Sequence, residues 1–140
     1  MYRGEPTKGI EFFNLLFESE DFNAELGKVA LAAGRLEAEI MLYFIRKGVK
    51  ESISRLTLGQ LIKIGKKKKL LDKNLTMALE QVCIQRNYLT HNIYALFNEL
   101  IDETILERNN LLDSDVLTYT ERALQLRINL IYLADLMSKQ

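Results

Sequence analysis

The residue types best suited to chemistry fall within six positions, Arg86, Asn87, Tyr88, Leu89, Thr90 and His91, and His91 is the only histidine of the chain. An imidazole exchanges protons near neutral pH, and a guanidinium offers a rigid fork of donors to a phosphate-like anion. Together they are suited to proton transfer and to stabilisation of a developing negative charge. Arg86 also interrupts an otherwise apolar helix seam, where an unpaired guanidinium is costly. That seam must open on a cleft, meet a carboxylate of the same chain or meet a second subunit, and the sequence leaves these open. On one straight helix, five residues turn through roughly 500°, which leaves Arg86 and His91 about 140° apart and about 7.5 Å along the axis. A bend, long side chains or a two-fold axis would be needed to gather them.

Other groups surround this core set. Tyr94, three residues after His91, shares a polar helical stripe with Asn87, His91 and Asn98, and reads either as a base-stacking residue or as an aromatic at the bundle edge. Lys63, Lys66, Lys67, Lys68, Lys69 and Lys73 put six positive charges into eleven residues, with Asp72 the one acid among them. Such a run attracts phosphates, and a solvated connector between helices is the competing reading. Gly59 and Gly65-Lys66 miss the spacing of a phosphate-binding loop, and Lys67 stands where a hydroxyl residue is required. Cys83 lies one turn before Asn87 and reads as a small core residue. The acids Glu99, Asp102, Glu103 and Glu107 lack the spacing of a cation loop and read as solvated surface. No set of ligands points to a metal or other cofactor.

The elements that carry these residues read as helices. Pro6 is the only proline, and strict alternation of apolar and polar residues is scarce. A first helix is expected over Ile10 to Ser19, followed by a long one over 22 to 46 with Phe22, Leu26, Val29, Ala33, Leu36, Ile40 and Tyr43 on one seam and Gly48 as its stop. Thr57 caps a third helix that Gly65 should end, leaving Lys66 to Lys69 as connector. A fourth runs from the N-cap Asp72 to about Leu100 with Arg86 on its seam. The stretch 102 to 112 is open to either irregular or extended structure. Asp113, Ser114 and Asp115 offer caps for a last helix ending near Ser138. The expected fold is all-α: one domain over residues 1 to 140, an antiparallel bundle of four to five helices, with residues 1 to 9 as a flexible lead.

Composition sets the outer limits. The chain has 140 residues, 48% hydrophobic and 27% charged, enough for one core and too apolar for a disordered chain. Nineteen basic and nineteen acidic side chains cancel, so net charge gives no pointer to nucleic acid. A lone cysteine forms no internal disulfide, which fits a reducing cytoplasm. Met1 to Gly9 has no leader-like pattern and no run approaches the roughly 18 apolar residues of a membrane span, so neither secretion nor insertion is expected.

An arginine followed by asparagine, three further residues and a histidine, on a late helix of an all-helical chain of this length, resembles the signature of HEPN (higher eukaryote and prokaryote nucleotide-binding) ribonucleases. The likeness spans residues 20 to 137, and its specific part is Arg86, Asn87 and His91. It implies a helical bundle with two long antiparallel helices, acting as a homodimer whose shared cleft gathers Arg86 and His91 from both chains. It also implies metal-independent RNA cleavage through attack of the 2′-hydroxyl on the adjacent phosphate, of the kind found in toxins and antiviral defence. Tyr94 and Lys66 to Lys69 would then bind substrate, and an antitoxin or nucleotidyltransferase would be a partner. In family toxins modified by a nucleotidyltransferase the tyrosine stands two residues after the histidine; here Ile93 holds that offset of two, and Tyr94 follows it. A catalytically silent helical module that binds RNA, nucleotide or protein is the alternative reading.

Overall fold

A computed structural model describes all 140 residues. The chain forms β1 (Pro6–Thr7), α1 (Gly9–Glu18), α2 (Glu20–Arg46), α3 (Leu58–Lys67), α4 (Lys73–Thr90), α5 (Ile93–Phe97), β2 (Leu111–Leu112) and α6 (Asp115–Ser138). Side-chain caps open three of the helices, because the first N–H groups of a helix have no partner inside it. The Ser19 hydroxyl accepts from Phe22 N at 3.1 Å at the start of α2, and the Asp72 carboxylate accepts from Leu75 N at 2.7 Å at the start of α4. At α3, Thr57 and Gln60 make a reciprocal capping box. The Glu37 carboxylate of α2 accepts from Leu58 N at 2.7 Å, which ties the positive end of α3 to the middle of α2.

The core is a single cluster that includes Leu36, Ile40 and Phe44 of α2, Leu79 and Val82 of α4, and Leu126 and Leu130 of α6. The longest helices, α2 and α6, pack along their length and run in the same direction: Glu25 meets Arg127, Arg35 meets Asp135, and the Arg46 guanidinium donates to Met137 O. The third long helix, α4, packs against α2, α3 and α6. It runs back along α3, with Lys66 near Glu80 and Gly59 near Cys83. The bundle is therefore all-α with six helices rather than four or five, and its dominant pair is parallel, not antiparallel. A long return through α3, α4 and the 98–110 segment lets the chain start α6 at the same end as α2.

Two further expectations are corrected. Residues 1 to 9 are not a loose lead: Pro6 and Thr7 pair antiparallel with Leu112 and Leu111. The Asp113 carboxylate accepts from the N–H groups of Arg3, Gly4 and Glu5. Those bonds hold its carboxyl below the usual range for aspartate, the Arg3 N–H contributing most. Gly65 does not end α3. It is buried, and a Cβ there would lie 2.5 Å from Leu71 Cδ1, so it serves close packing while the helix continues to Lys67. The left-handed position after α3 is taken by Lys69, with φ 55°, and Leu70 N closes onto Gly65 O at 2.9 Å. Gly48, by contrast, ends α2 as its type predicts, with φ 85° and Val49 N donating to Phe44 O.

Candidate functional site around Arg86 and His91

The expected fourth helix from Asp72 to about Leu100 is divided in two, and the division falls at the histidine. Thr90 Oγ1 donates to Arg86 O at 2.7 Å, and Asn87 O accepts both His91 N at 3.0 Å and Asn92 N at 2.9 Å. This wider closure ends α4 with His91 as its C-cap. Thr, His and Asn are all weak helix formers, so little local preference resists the break. Its tertiary cause is aromatic: Phe97 of α5 meets Phe12 and Tyr119 with ring centroids 5.2 and 6.0 Å apart, and Phe12 meets Tyr119 at 5.1 Å. The turn after His91 lets Leu96 and Phe97 reach that cluster and become buried.

Arg86 lies on the inward seam of α4, one turn from Val82 and next but two to Leu89, both buried. Its Nε is buried and has no hydrogen-bond partner, and Arg86 takes part in none of the six ion pairs of the chain. The partly buried carboxylates of α2 are engaged elsewhere: Glu25 by Arg127, Glu37 by Leu58 N and Glu39 by Arg35. Arg127 holds the Glu25 carboxyl below its ordinary range. Pairing of Arg86 with a core acid of its own chain, one of the readings open from sequence, is thus excluded. His91 is exposed. Asn87 is partly buried, and its Nδ2 lies 3.9 Å from Cys83 Sγ, which leaves the amide without a strong partner. Cys83 itself is buried, as a small core residue should be.

The remaining candidates separate. Tyr94 is exposed and stands edge-on to Phe13 of α1 at 4.8 Å, and Phe13 stacks with Phe17 at 6.2 Å. Because α4 stops at Thr90, Tyr94 and Asn98 are not on one continuous helix stripe with Asn87. The lysine run also divides. Lys66 and Lys67 belong to the last turn of α3, so the run is only in part a connector. Lys68 meets Glu51 at 2.8 Å and holds that carboxyl below its ordinary range. Lys66 meets Glu80 at 3.6 Å. A cleft between the end of α3 and the start of α4 is lined by Lys66, Lys69, Lys73, Met77 and Glu80, and a neighbouring one by Lys63, Lys66, Glu80 and Cys83. Glu80 escaped the sequence reading, although it is the only acid within α4 and so was marked by its isolation.

None of the five principal clefts is lined by Arg86 or His91. One chain therefore presents a partly buried arginine, its Nε unpartnered, and an exposed imidazole at one helix end, both outside its five principal clefts. No group of three or more His, Cys, Asp or Glu side chains is placed to hold a metal ion, and no helix is long and apolar enough to cross a membrane. The chain matches no protein-family model, no curated protein and no solved structure.

Proposed function

We propose that the chain is a HEPN-type endoribonuclease of toxin or antiviral-defence kind, working as a homodimer in which Arg86, Asn87 and His91 of two copies share a cleft. The observation that carries this reading is the Arg86 Nε, buried on an apolar seam with no partner in its own chain. A donor left in that state is suited to an anion that arrives from outside, and a phosphate oxygen is the natural acceptor of a guanidinium. In the reaction, the 2′-oxygen of RNA bonds to the adjacent phosphorus as the bond to the 5′-oxygen breaks. The ends left are a 2′,3′-cyclic phosphate and a 5′-hydroxyl. His91 takes the proton from the 2′-hydroxyl, or supplies one to the departing 5′-oxygen when the second copy's histidine acts as base. Arg86 neutralises charge gathering on the phosphate oxygens, and Asn87 positions them. The chemistry uses no metal ion.

Lys66, Lys67, Lys68 and Lys69 would contact the RNA backbone, Lys68 on release from its ion pair with Glu51. Tyr94, exposed on its Phe13 support, offers a face for stacking of a base. An antitoxin or nucleotidyltransferase that silences the enzyme in the cytoplasm completes the reading. The second reading, a catalytically silent module that binds RNA, nucleotide or a partner protein, draws on the position of Arg86 and His91 outside the five principal clefts of a single chain.

Purified protein incubated with RNA in the presence of a chelator should yield cyclic phosphate ends, and His91→Ala should slow this by about 10²- to 10⁴-fold. Unchanged cleavage by His91→Ala would defeat the enzyme assignment. RNA binding without cleavage by the unaltered chain would favour the silent module.

A further inference from the structure

The outward side of α2 carries a second row of residues that nothing in the chain covers. Opposite the core row around the helix lie Ala24, Gly27, Leu31, Gly34, Ala38, Leu42 and Ile45, spaced by three or four. All seven are exposed, with Leu31 at 78%, Ile45 at 58% and Leu42 at 49%. A helix that meets only water normally carries charge there. A Cβ built on Gly27 or Gly34 meets no atom within 4 Å, so packing inside the chain requires neither glycine. Each nevertheless costs about 1 kcal/mol relative to alanine in a helix interior.

The row is self-complementary. Ile45 and Ala24, Leu42 and Gly27, and Ala38 and Leu31 are placed symmetrically on either side of the Gly34–Arg35 peptide. A second copy of α2 turned end for end therefore sets a large side chain against a small one at all three levels in a single register, with Gly34 of both copies at the crossing. Charge obeys the same symmetry. Glu20 and Asp21 occupy the first turn, while Arg46 and Lys47 stand at the other end, so each acidic start meets a basic end. A parallel pair would instead stack Leu31 on Leu31 and basic end on basic end. Ala24 and Ile45 are about 32 Å apart along the axis. On α6, held beside α2 by the Arg35–Asp135 ion pair, Ile128 and Tyr132 are exposed too and widen the patch. A strip about 32 Å long and about 10 Å wide on each copy buries about 640 Å² in all, and the exposed α6 residues extend it toward the roughly 1,000 Å² where specific interfaces begin.

We infer that this face joins two copies of the chain by an antiparallel contact between their α2 helices, about a two-fold axis beside Gly34. Its row lies opposite the core-facing row of α2, toward which α4 and α6 pack, so it is distinct from the surface at the end of α4. The inference stands whether or not the chain cleaves RNA, and an assembly using both surfaces would hold more than two copies.

The full-length chain tests it in two ways. Leu31→Glu with Leu42→Glu, both at exposed positions, should leave the helical circular dichroism unchanged and halve the mass measured by light scattering. Independently, Ala24→Cys with Ile45→Cys should give covalent dimers with a thiol cross-linker about 8 to 10 Å long, the usual spacing of packed helices. Ala24→Cys alone should give none, since its two copies would stand about 32 Å apart. A monomeric unaltered chain, an unchanged mass in the glutamate variant, or equal cross-linking of the single and double cysteine variants would each overturn the inference.

Discussion

Arg86 gives the most demanding test, because structure and function pull in opposite directions at one side chain. Methionine matches the unbranched stem of arginine without its polar head. In Arg86→Met the seam between Val82 and Leu89 becomes continuous and the buried, unpartnered Nε disappears. An unsatisfied buried donor costs roughly 1–3 kcal/mol. Arg86 as a whole is only partly buried, so the lower part of that range applies, about 1–1.5 kcal/mol. Unfolding entropy of roughly 2.1 cal/mol/K per residue gives about 0.3 kcal/mol/K for a chain of this length. The midpoint of thermal unfolding should therefore rise by about 3–5 °C, measured at one fixed protein concentration because association also shifts it.

The same substitution removes the proposed phosphate donor, so RNA cleavage should fall by about 10²-fold or more. The two readouts fail separately. A midpoint lowered by several degrees would mean that Arg86 holds the bundle together, and the physical reasoning about its missing partner would be refuted. A raised midpoint with cleavage intact would leave that reasoning standing and remove Arg86 from the reaction.

Two further outcomes follow from packing and from a titrating anchor. Gly65→Ala should destabilise by about 1–3 kcal/mol in a urea titration, because its Cβ would fall 2.5 Å from Leu71 Cδ1 and 3.2 Å from Phe44 Cζ; a change below about 0.5 kcal/mol would mean that the α3 end yields freely. Asp113 has a folded pKa below its ordinary value, so its contribution is present above the unfolded value of about 3.9 and is lost as pH falls through the lower folded one. The amide resonances of Arg3, Gly4 and Glu5 should shift together with a midpoint below about 3.9, and a midpoint at or above that value would show that the carboxylate does not anchor the N-terminal segment.

The legible parts of the sequence were those where a local rule and the tertiary fold agree. Thr57 and Asp72 cap helices in the structure, and Phe22, Val29, Leu36 and Ile40 face the core at the expected spacing. The break after Thr90 was not legible, because Ile93, Leu96 and Leu100 continue the seam spacing while the cause of the turn lies far away in sequence, in Phe12 and Tyr119. Gly65 misled for a related reason: a glycine late in a helical run signals a stop, but here the missing Cβ makes room for Leu71. At the candidate site, the type and order of Arg86, Asn87 and His91 were visible, whereas the engagement of Glu25, Glu37 and Glu39 by Arg127, Leu58 N and Arg35 was not. The direction of α2 relative to α6 depends on the long 47–114 return, which no periodicity encodes.

What remains after these elements are accounted for is a small set of residues that break local rules without relief inside one chain. Arg86 interrupts an apolar seam with a buried unpaired donor, and Gly27 and Gly34 weaken the middle of α2 without making room for any neighbour. At about 1 kcal/mol each these come to roughly 3 kcal/mol, a sizeable part of the 5–15 kcal/mol that holds a typical domain folded. Lys69 and Glu99, which adopt left-handed backbone, are different, since each closes a helix end and so has its reason within the chain. Locally inconsistent residues tend to mark function or strain. On the readings proposed above they fall on two separate surfaces: the end of α4, where an anion would serve as partner of the guanidinium, and the outer face of α2, where another helix would pack on the two glycines. The chemistry of the two surfaces differs, so a ligand that satisfies Arg86 should leave the α2 face unchanged, and the glutamate variants of that face should leave Arg86 as unsatisfied as before.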